Sequence, residues 1–129
     1  MTSGLSFERR SDAERRGRRG ETLAMLLLMA KGYRILARRL RTHAGEIDLV
    51  ARSPRGVLCF VEVKTRGSLG QAREALLPRQ RDRIARAAEL YLARLRGPPP
   101  RGVRFDVIVL SAGRLWPTHL KDAWRPGGG

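Results

Sequence analysis

The stretch Gly45-Glu46-Ile47-Asp48-Leu49-Val50, together with Phe60-Val61-Glu62-Val63-Lys64-Thr65-Arg66 further along the chain, decides the fold. Both runs predict β-strands, because β-branched and aromatic residues alternate over short lengths between turn signals. The break between them, Ser53-Pro54-Arg55-Gly56, has the Pro-then-Gly chemistry of a tight turn. We therefore expect a central β-hairpin over about residues 46–65.

These two strands carry charged residues that a buried strand does not ordinarily hold, namely Asp48, Glu62 and Lys64. A buried charge is destabilising unless it is paired or holds a metal ion. Two carboxylates and an ammonium on adjacent strands can bind a hard cation and steady a water molecule beside it. Only 3 of the 27 basic residues are lysine, so lysine at position 64 indicates a need for a compact, titratable ammonium.

The composition predicts a single domain with a polyanionic partner. A chain of 129 residues is long enough for one core but not for two. Its formal net charge of +15 points to nucleic acid as the partner. An arginine-rich proteome is the alternative explanation, but it accounts for the choice of arginine over lysine and not for 27 basic residues against 12 acidic ones.

The sequence predicts a soluble, cytoplasmic protein with no membrane association. Its single cysteine, Cys59, excludes an internal disulfide, suits a reducing compartment and is expected to be a small buried apolar residue. The longest apolar run, residues 23–30, is well short of the roughly 20 residues that span a bilayer. With His43 and His119 as the only histidines, no zinc-ligand spacing is present.

The remaining pattern predicts helices on either side of the hairpin. We expect a disordered basic arm over residues 1–12, one domain over residues 13–125 and a frayed tail over residues 126–129. The other predicted elements are a helix from between Asp12 and Glu21 to Gly32, a strand over 33–37, a loop with Arg38, Arg39, Arg41 and His43, a helical turn over 70–77, a long helix from Pro78, a strand over 104–110, a short edge strand over 114–116 and a last helical turn over 120–124.

The long helix begins with a cluster of basic residues. Its apolar stripe starts at Ile84, and Gln80 lies one turn earlier on the same side. The cluster comprises Arg79, Arg81, Arg83 and Arg86. These arginines form either a solvated helix face or a phosphate-contacting surface, to which the positive helix N-terminus would add.

The order of Glu21 on a helix, then Asp48, then Glu62-Val63-Lys64 resembles the PD-(D/E)xK nuclease superfamily. The chain is more closely similar to the small bacterial YraN family, whose members are described as endonuclease-like or uncharacterised. The matching features are the two central motifs, Arg104-Phe105-Asp106-Val107 and Leu120-Lys121-Asp122-Ala123-Trp124, within a match over about residues 20–124. The family often has a lysine where this chain has Gln80.

The resemblance implies an α/β fold with a restriction-endonuclease-like three-layer core, a mixed β-sheet flanked by helices, related to Holliday-junction resolvases. It implies that Asp48 and Glu62 hold Mg²⁺ or Mn²⁺ with the carbonyl of Val63, and that Lys64 orients or deprotonates the attacking water. Glu21 would be an additional carboxylate; from the residues alone, an ordinary first-turn acid that complements the helix dipole is the better interpretation. The expected nucleic-acid contacts are Arg66, Arg79, Gln80, Arg81 and Arg83.

Three functions compete on this pattern. The first is a metal-dependent endodeoxyribonuclease acting on DNA, branched or damaged DNA included, with a homodimer left open. The second is a non-catalytic nucleic-acid-binding protein that retains the fold. The third is a partner of an acidic protein. The carboxylates favour the first, because pure binding gains nothing from carboxylates that face a polyanion.

The nuclease hypothesis makes a demand on the hairpin. In a regular hairpin closed by the four residues 53–56, Asp48 would lie opposite Val61, and Glu62 would point to the other face of the sheet. One metal ion could not then contact both carboxylates. We therefore expect an odd-length loop, a β-bulge or a bend of the chain near Asp48.

Overall fold

A mixed β-sheet forms the centre of the protein. The computed structural model describes residues 20–65, 78–110 and 116–127. The described elements are helix α1 (residues 20–30), β1 (Arg34–Arg41), β2 (Glu46–Arg52), β3 (Val57–Thr65), helix α2 (Pro78–Arg94), β4 (Gly102–Leu110) and β5 (Thr118–Trp124). The sheet has the order β1-β2-β3-β4-β5, in which β3 and β4 are parallel and the other neighbours are antiparallel.

Each face of the sheet is covered by one helix and has its own apolar cluster. The α2 face is centred on the buried residues Ile47, Val50, Leu58, Phe60, Ile84, Ala87, Ala88, Phe105, Val107, Val109 and Trp124. The α1 face is centred on Ala24, Leu27, Leu28, Tyr33, Leu49, Ala51, Cys59, Val61 and Ile108. This is the expected three-layer α/β arrangement, consistent with a nuclease-like core.

Helix α2 and strand β4 follow the sequence pattern closely. Pro78 occupies the first position of α2, where a missing N–H leaves no hydrogen bond unmade. The predicted stripe packs on the sheet, with Ile84 buried and Tyr91 partly buried against the same cluster. The helix links β3 to the parallel strand β4, whose apolar residues are covered on both faces, as a nearly continuous apolar run predicts.

Helix α1 ends as its sequence predicts. The N–H of Gly32 donates to the carbonyl of Met29 at 3.0 Å, and the N–H of Tyr33 donates to the carbonyl of Leu28 at 2.9 Å. This pair of hydrogen bonds is a Schellman motif, which requires a left-handed residue at Gly32, and its φ is +86°. The turn aims the chain from α1 directly into β1.

Three predictions of secondary structure are wrong. Trp116, the described residue of the predicted edge strand over 114–116, lies before β5 and outside the strands. Residues 120–124 belong to β5 and not to a helix; Leu120 and Trp124, opposite Val107 and Phe105, both pack on the α2 face, and Asp122 between them has a φ of +51°. A spacing of four residues fits one face of a strand as well as one face of a helix. Residues 38–41 continue β1 instead of forming a loop, because they pair with β2 as far as Arg41 opposite Glu46.

Several predictions fall outside the described residues. These are the basic arm over 1–12, the helical turn over 70–77, residues 114 and 115 of the predicted edge strand, and Arg66. Within the described ranges, no helix has the length and apolar character needed to cross a bilayer.

Candidate metal centre

The loop between β2 and β3 sets the register of the hairpin. The N–H of Ser53 donates to the carbonyl of Val57 at 2.8 Å, and the N–H of Gly56 donates back to the carbonyl of Ser53 at 2.9 Å. Ser53 and Val57 therefore close the hairpin. The loop between them is Pro54-Arg55-Gly56, an odd number of residues. Gly56 has a φ of +87°, the left-handed conformation that ends such a loop.

This loop aligns the two carboxylates. The pairing runs from Arg52 opposite Leu58 to Leu49 opposite Val61, so the next position brings Asp48 opposite Glu62. By alternation from the Ser53 pair, this next position is a non-hydrogen-bonded one, where opposing side chains approach most closely. The expected departure from a four-residue turn is therefore confirmed, in the form of an odd-length loop.

The chain also bends at Asp48. Ile47 and Val50 both lie on the α2 face although residues three apart in a regular strand point to opposite faces. On the neighbouring strand, Ala37 and Leu40 show the same break, and Arg39 between them has a φ of +50°. Both strands are therefore irregular at the same level of the sheet, at the position of Asp48.

The bend places the side chain of Asp48 against the backbone of β3. The N–H of Val63 donates to Oδ2 of Asp48 at 2.8 Å, and the N–H of Asp48 donates to Oε1 of Glu62 at 3.4 Å. The charge of Asp48 also raises the pKa of Glu62. Asp48 and Glu62 thus form one unit, which we call the carboxyl pair.

Burial and mutual repulsion disfavour the state in which both carboxyl groups of the pair are ionised. Glu62 is 9% exposed, and its burial, together with the charge of Asp48, raises its pKa well above the usual range. Burial also raises the pKa of Asp48. Lys64 acts in the opposite direction on both groups. Lys64 is two residues after Glu62 along β3, so its side chain lies on the same face of the strand.

A pocket of about 200 Å³ opens beside Glu62, between the sheet and α2. Its walls include Gly45, Gln80 and Arg83. Gly45 packs closely on α2, because a Cβ here would lie 3.1 Å from Cβ and 3.3 Å from the carbonyl oxygen of Arg83, closer than ordinary van der Waals contact. The loop before β2 therefore packs directly on α2 and brings its basic N-terminal turn to the carboxyl pair.

Glu21 lies near the carboxyl pair but is engaged by another residue. Gly20, its neighbour, is packed against Leu110 at the same end of the sheet. The charge of Glu21 contributes to raising the pKa of Asp48. Oε2 of Glu21 accepts a hydrogen bond from Nε of Arg39 at 2.8 Å, and the carboxylate is 13% exposed. The structure therefore brings Glu21 to the site in an ion pair.

The arginines that were predicted to contact nucleic acid differ in their surroundings. Arg79 is exposed at the start of α2, whereas the guanidinium of Arg81 lies over the ring of Trp124, 6.0 Å from its centroid. Arg39 was missed by the sequence reasoning, because nothing in the sequence signals its left-handed conformation.

In the described ranges, no group of three or more His, Cys, Asp or Glu residues could hold a metal ion. A metal here would rest on the carboxyl pair, backbone oxygens and water.

The fold and the site define a class of protein, namely an α/β domain with a buried carboxyl pair on its central hairpin. The Uncharacterised protein family UPF0102 matches residues 20–110. The chain is 56% identical over 114 residues to a UPF0102 protein of Parvibaculum lavamentivorans, a match that covers 88% of this chain and 84% of that protein. It is 52% identical over 130 residues to a relative in Paramagnetospirillum magneticum, with 97% and 98% covered. The protein belongs to this family, which is the YraN family of the resemblance.

Proposed function

We propose that this protein is a metal-dependent nuclease that hydrolyses phosphodiester bonds in DNA, with branched or damaged DNA among its substrates. One observation carries the proposal: Asp48 and Glu62, from separate strands, form a buried carboxyl pair with Lys64 on the same face as Glu62. Two carboxyl groups in contact are unfavourable in a fold unless a proton or a cation is held between them. The +15 charge supports a polyanionic substrate.

The donor set suits a hard divalent ion. Mg²⁺ is commonly held by one or two carboxylates and keeps several waters, and the carboxyl pair provides those ligands, with the carbonyl of Val63 as a further one. When bound, Mg²⁺ or Mn²⁺ would supply an activated water and neutralise charge on the phosphate. The other catalytic roles would fall to side chains of the protein. Lys64 would orient or deprotonate the attacking water, and Arg83 and Gln80 on the pocket wall would position the phosphate.

One observation favours a second candidate, DNA binding without cleavage. The ion pair between Arg39 and Glu21 places a guanidinium beside the carboxyl pair. An internal cation at that point would compete with a metal ion for Glu21. In this case the protein would use its basic surface alone, and the carboxyl pair would be a remnant of the fold.

A cleavage assay tests the proposal. Linear, nicked, flapped and four-way DNA would be incubated with the protein and Mg²⁺ or Mn²⁺. We expect Asp48→Ala, Glu62→Ala and Lys64→Ala each to abolish cleavage while DNA binding is largely retained. Binding should become tighter only in the two carboxylate variants, because a lost carboxylate removes repulsion with phosphate. The matched control is Glu89→Ala, an exposed acid on α2, which should cleave normally. Full activity in purified Glu62→Ala would overturn the catalytic assignment.

A further inference from the structure

A second carboxylate, Asp106 of β4, organises a cluster of cations on the α1 face. It is 0% exposed. Nε and Nη2 of Arg104 donate to its two oxygens, both at 2.8 Å. Nε2 of His119 and the N–H of Asp122 complete the set at 2.7 and 3.0 Å. Asp106 thus accepts four hydrogen bonds, and both of its oxygens are satisfied.

The network continues outward to a lysine. Nζ of Lys31 lies 2.7 Å from Nδ1 of His119. An ammonium can only donate, so Nδ1 accepts and Nε2 carries the proton that His119 donates to Asp106. A long, exposed lysine side chain is held in place through His119 by a buried carboxylate.

Tyr33 holds two of these cations from the other side. Nζ of Lys31 and Cζ of Arg104 each lie 5.9 Å from the centroid of its ring, a cation–π distance. The hydroxyl of Tyr33 accepts a hydrogen bond from Nη2 of Arg104 at 2.7 Å. The positions of both cationic groups are thus fixed before any ligand arrives.

These groups line a pocket of about 400 Å³, which we call the lysine pocket. Its cations are Lys31, Arg55, Arg104 and Lys121. Among the described residues, Lys31, Arg55 and Lys121 have no acidic partner in an ion pair, and no acid lines the pocket. Burial lowers the pKa of Lys31, and the charges of Lys121 and Arg104 lower it further, against the opposing effect of Asp106.

Lysine is rare elsewhere in the chain, which makes this pairing informative. Of 27 basic residues only 3 are lysine, and the lysine pocket contains two of them. A generally basic surface in this chain would be made of arginine. Two compact ammonium groups, each with three donors, are point charges that can both donate to the oxygens of one small oxyanion.

We infer that the lysine pocket binds a phosphate group. Lys31 and Lys121 would donate to its oxygens, and Arg55 and Arg104 would add charge at the rim. The phosphate could be a phosphodiester of a nucleic-acid backbone or a terminal or free phosphate. Val57 of the pocket and Glu62 of the carboxyl pair lie about 17 Å apart along β3 and on opposite faces. The inference therefore does not rest on the proposed hydrolysis.

The test compares two double variants that lose the same charge. Lys31→Gln/Lys121→Gln removes both ammonium groups, and Arg94→Gln/Arg96→Gln removes two exposed guanidiniums next to the end of α2. Binding would be measured by calorimetry in EDTA at fixed ionic strength. The probes are inorganic phosphate and one oligonucleotide with and without a 5′-phosphate. We expect the lysine variant to bind phosphate roughly tenfold or more weakly than the arginine variant.

The oligonucleotides distinguish the two sources of phosphate. A preference for the 5′-phosphorylated strand that disappears in the lysine variant identifies a terminal phosphate. An equal and specific loss for both strands identifies a backbone phosphodiester. Equal losses in the two double variants with every probe would overturn the inference. The single variant Lys121→Gln, at an exposed position, should show a partial loss at an unchanged melting temperature, which excludes misfolding as the cause. Because no divalent metal is present, failure would leave the nuclease proposal standing.

Discussion

Asp48 and Asp106 are both strand aspartates, and their surroundings give them opposite chemistry. Burial alone would raise the pKa of Asp106, but hydrogen bonds from His119, Arg104 and the N–H of Asp122 hold it below the usual range. Asp48 has one backbone donor and a second carboxyl group beside it, and its pKa is raised. Asp106 is therefore a satisfied structural ion, whereas the carboxyl pair still has capacity for a cation.

The role of Asp106 predicts a large loss of stability on substitution. Asp106→Asn leaves Arg104 and His119 without their charged acceptor in a buried setting, so the free energy of unfolding should fall by about 3 kcal/mol. Asp122→Asn is the control, since Asp122 is exposed and forms a surface ion pair with Arg125. Its cost should stay below about 1 kcal/mol. Urea denaturation of both variants measures the difference; equal losses would contradict a structural role for Asp106.

The same contrast should depend on pH. The pKa of Asp106 is lowered in the folded protein, so its stabilisation is fully present above the unfolded aspartate pKa of about 3.9 and is lost as pH falls through the folded value. The difference between wild-type protein and Asp106→Asn should thus be constant from neutral pH to about pH 5. It should shrink below about pH 4. A difference that grows on acidification would be inconsistent with this sign.

At the scale of elements, the hairpin depends on a left-handed glycine. Gly56→Ala forces an L side chain into a φ of +87°, while the nearest atom to the added Cβ, Cγ of Arg101, is at an ordinary 3.5 Å. The cost is therefore backbone strain, about 1 kcal/mol. Gly102→Ala is the control, because its φ is not positive and nothing lies within 4 Å of an added Cβ. Thermal unfolding should separate the two, and an unaffected Gly56→Ala would rule out the assigned loop.

Local patterns predicted the elements whose cause is local. Pro78, the stripe from Ile84 and the end of α1 at Gly32 follow from helix chemistry, and the structure confirms them. The need for an irregular hairpin also followed from sequence, because alternation and a shared metal were incompatible. The sequence did not decide between an odd-length loop, a β-bulge and a bend, and it did not indicate the left-handed conformation of Arg39, a residue that the pairing of β1 with β2 skips.

Tertiary pairing also explains what the sequence reasoning missed. Residues 120–124 form a strand through their pairing with β4, and the four-residue spacing of Leu120 and Trp124 fits one face of a strand as well as one face of a helix. The sequence does carry a signal for the lysine pocket. The rarity of lysine, which distinguishes Lys64, distinguishes Lys31 and Lys121 equally.

At the scale of the whole molecule, the +15 charge should make DNA binding sensitive to salt and nearly insensitive to sequence. Arg79 and Arg83 are exposed on the first turns of α2, and Arg83 lines the pocket beside Glu62. In Arg79→Gln/Arg83→Gln, the slope of log affinity against log salt should decrease in magnitude by about 2, one unit per lost phosphate contact. The Arg94→Gln/Arg96→Gln protein should change less. Equal slopes in the two variants would mean that this face of α2 is only solvated.

The central claim is that Asp48 and Glu62 share a divalent ion, and metal-dependent thermal unfolding tests it without any substrate. At a concentration about 100 times the dissociation constant, Mg²⁺ or Mn²⁺ should stabilise the wild-type protein by about 2.7 kcal/mol, or roughly 10 °C in melting temperature. Asp48→Asn and Glu62→Gln should lose this shift, and Glu89→Gln should keep it. A metal-induced shift of the same size in Asp48→Asn would contradict a shared metal site.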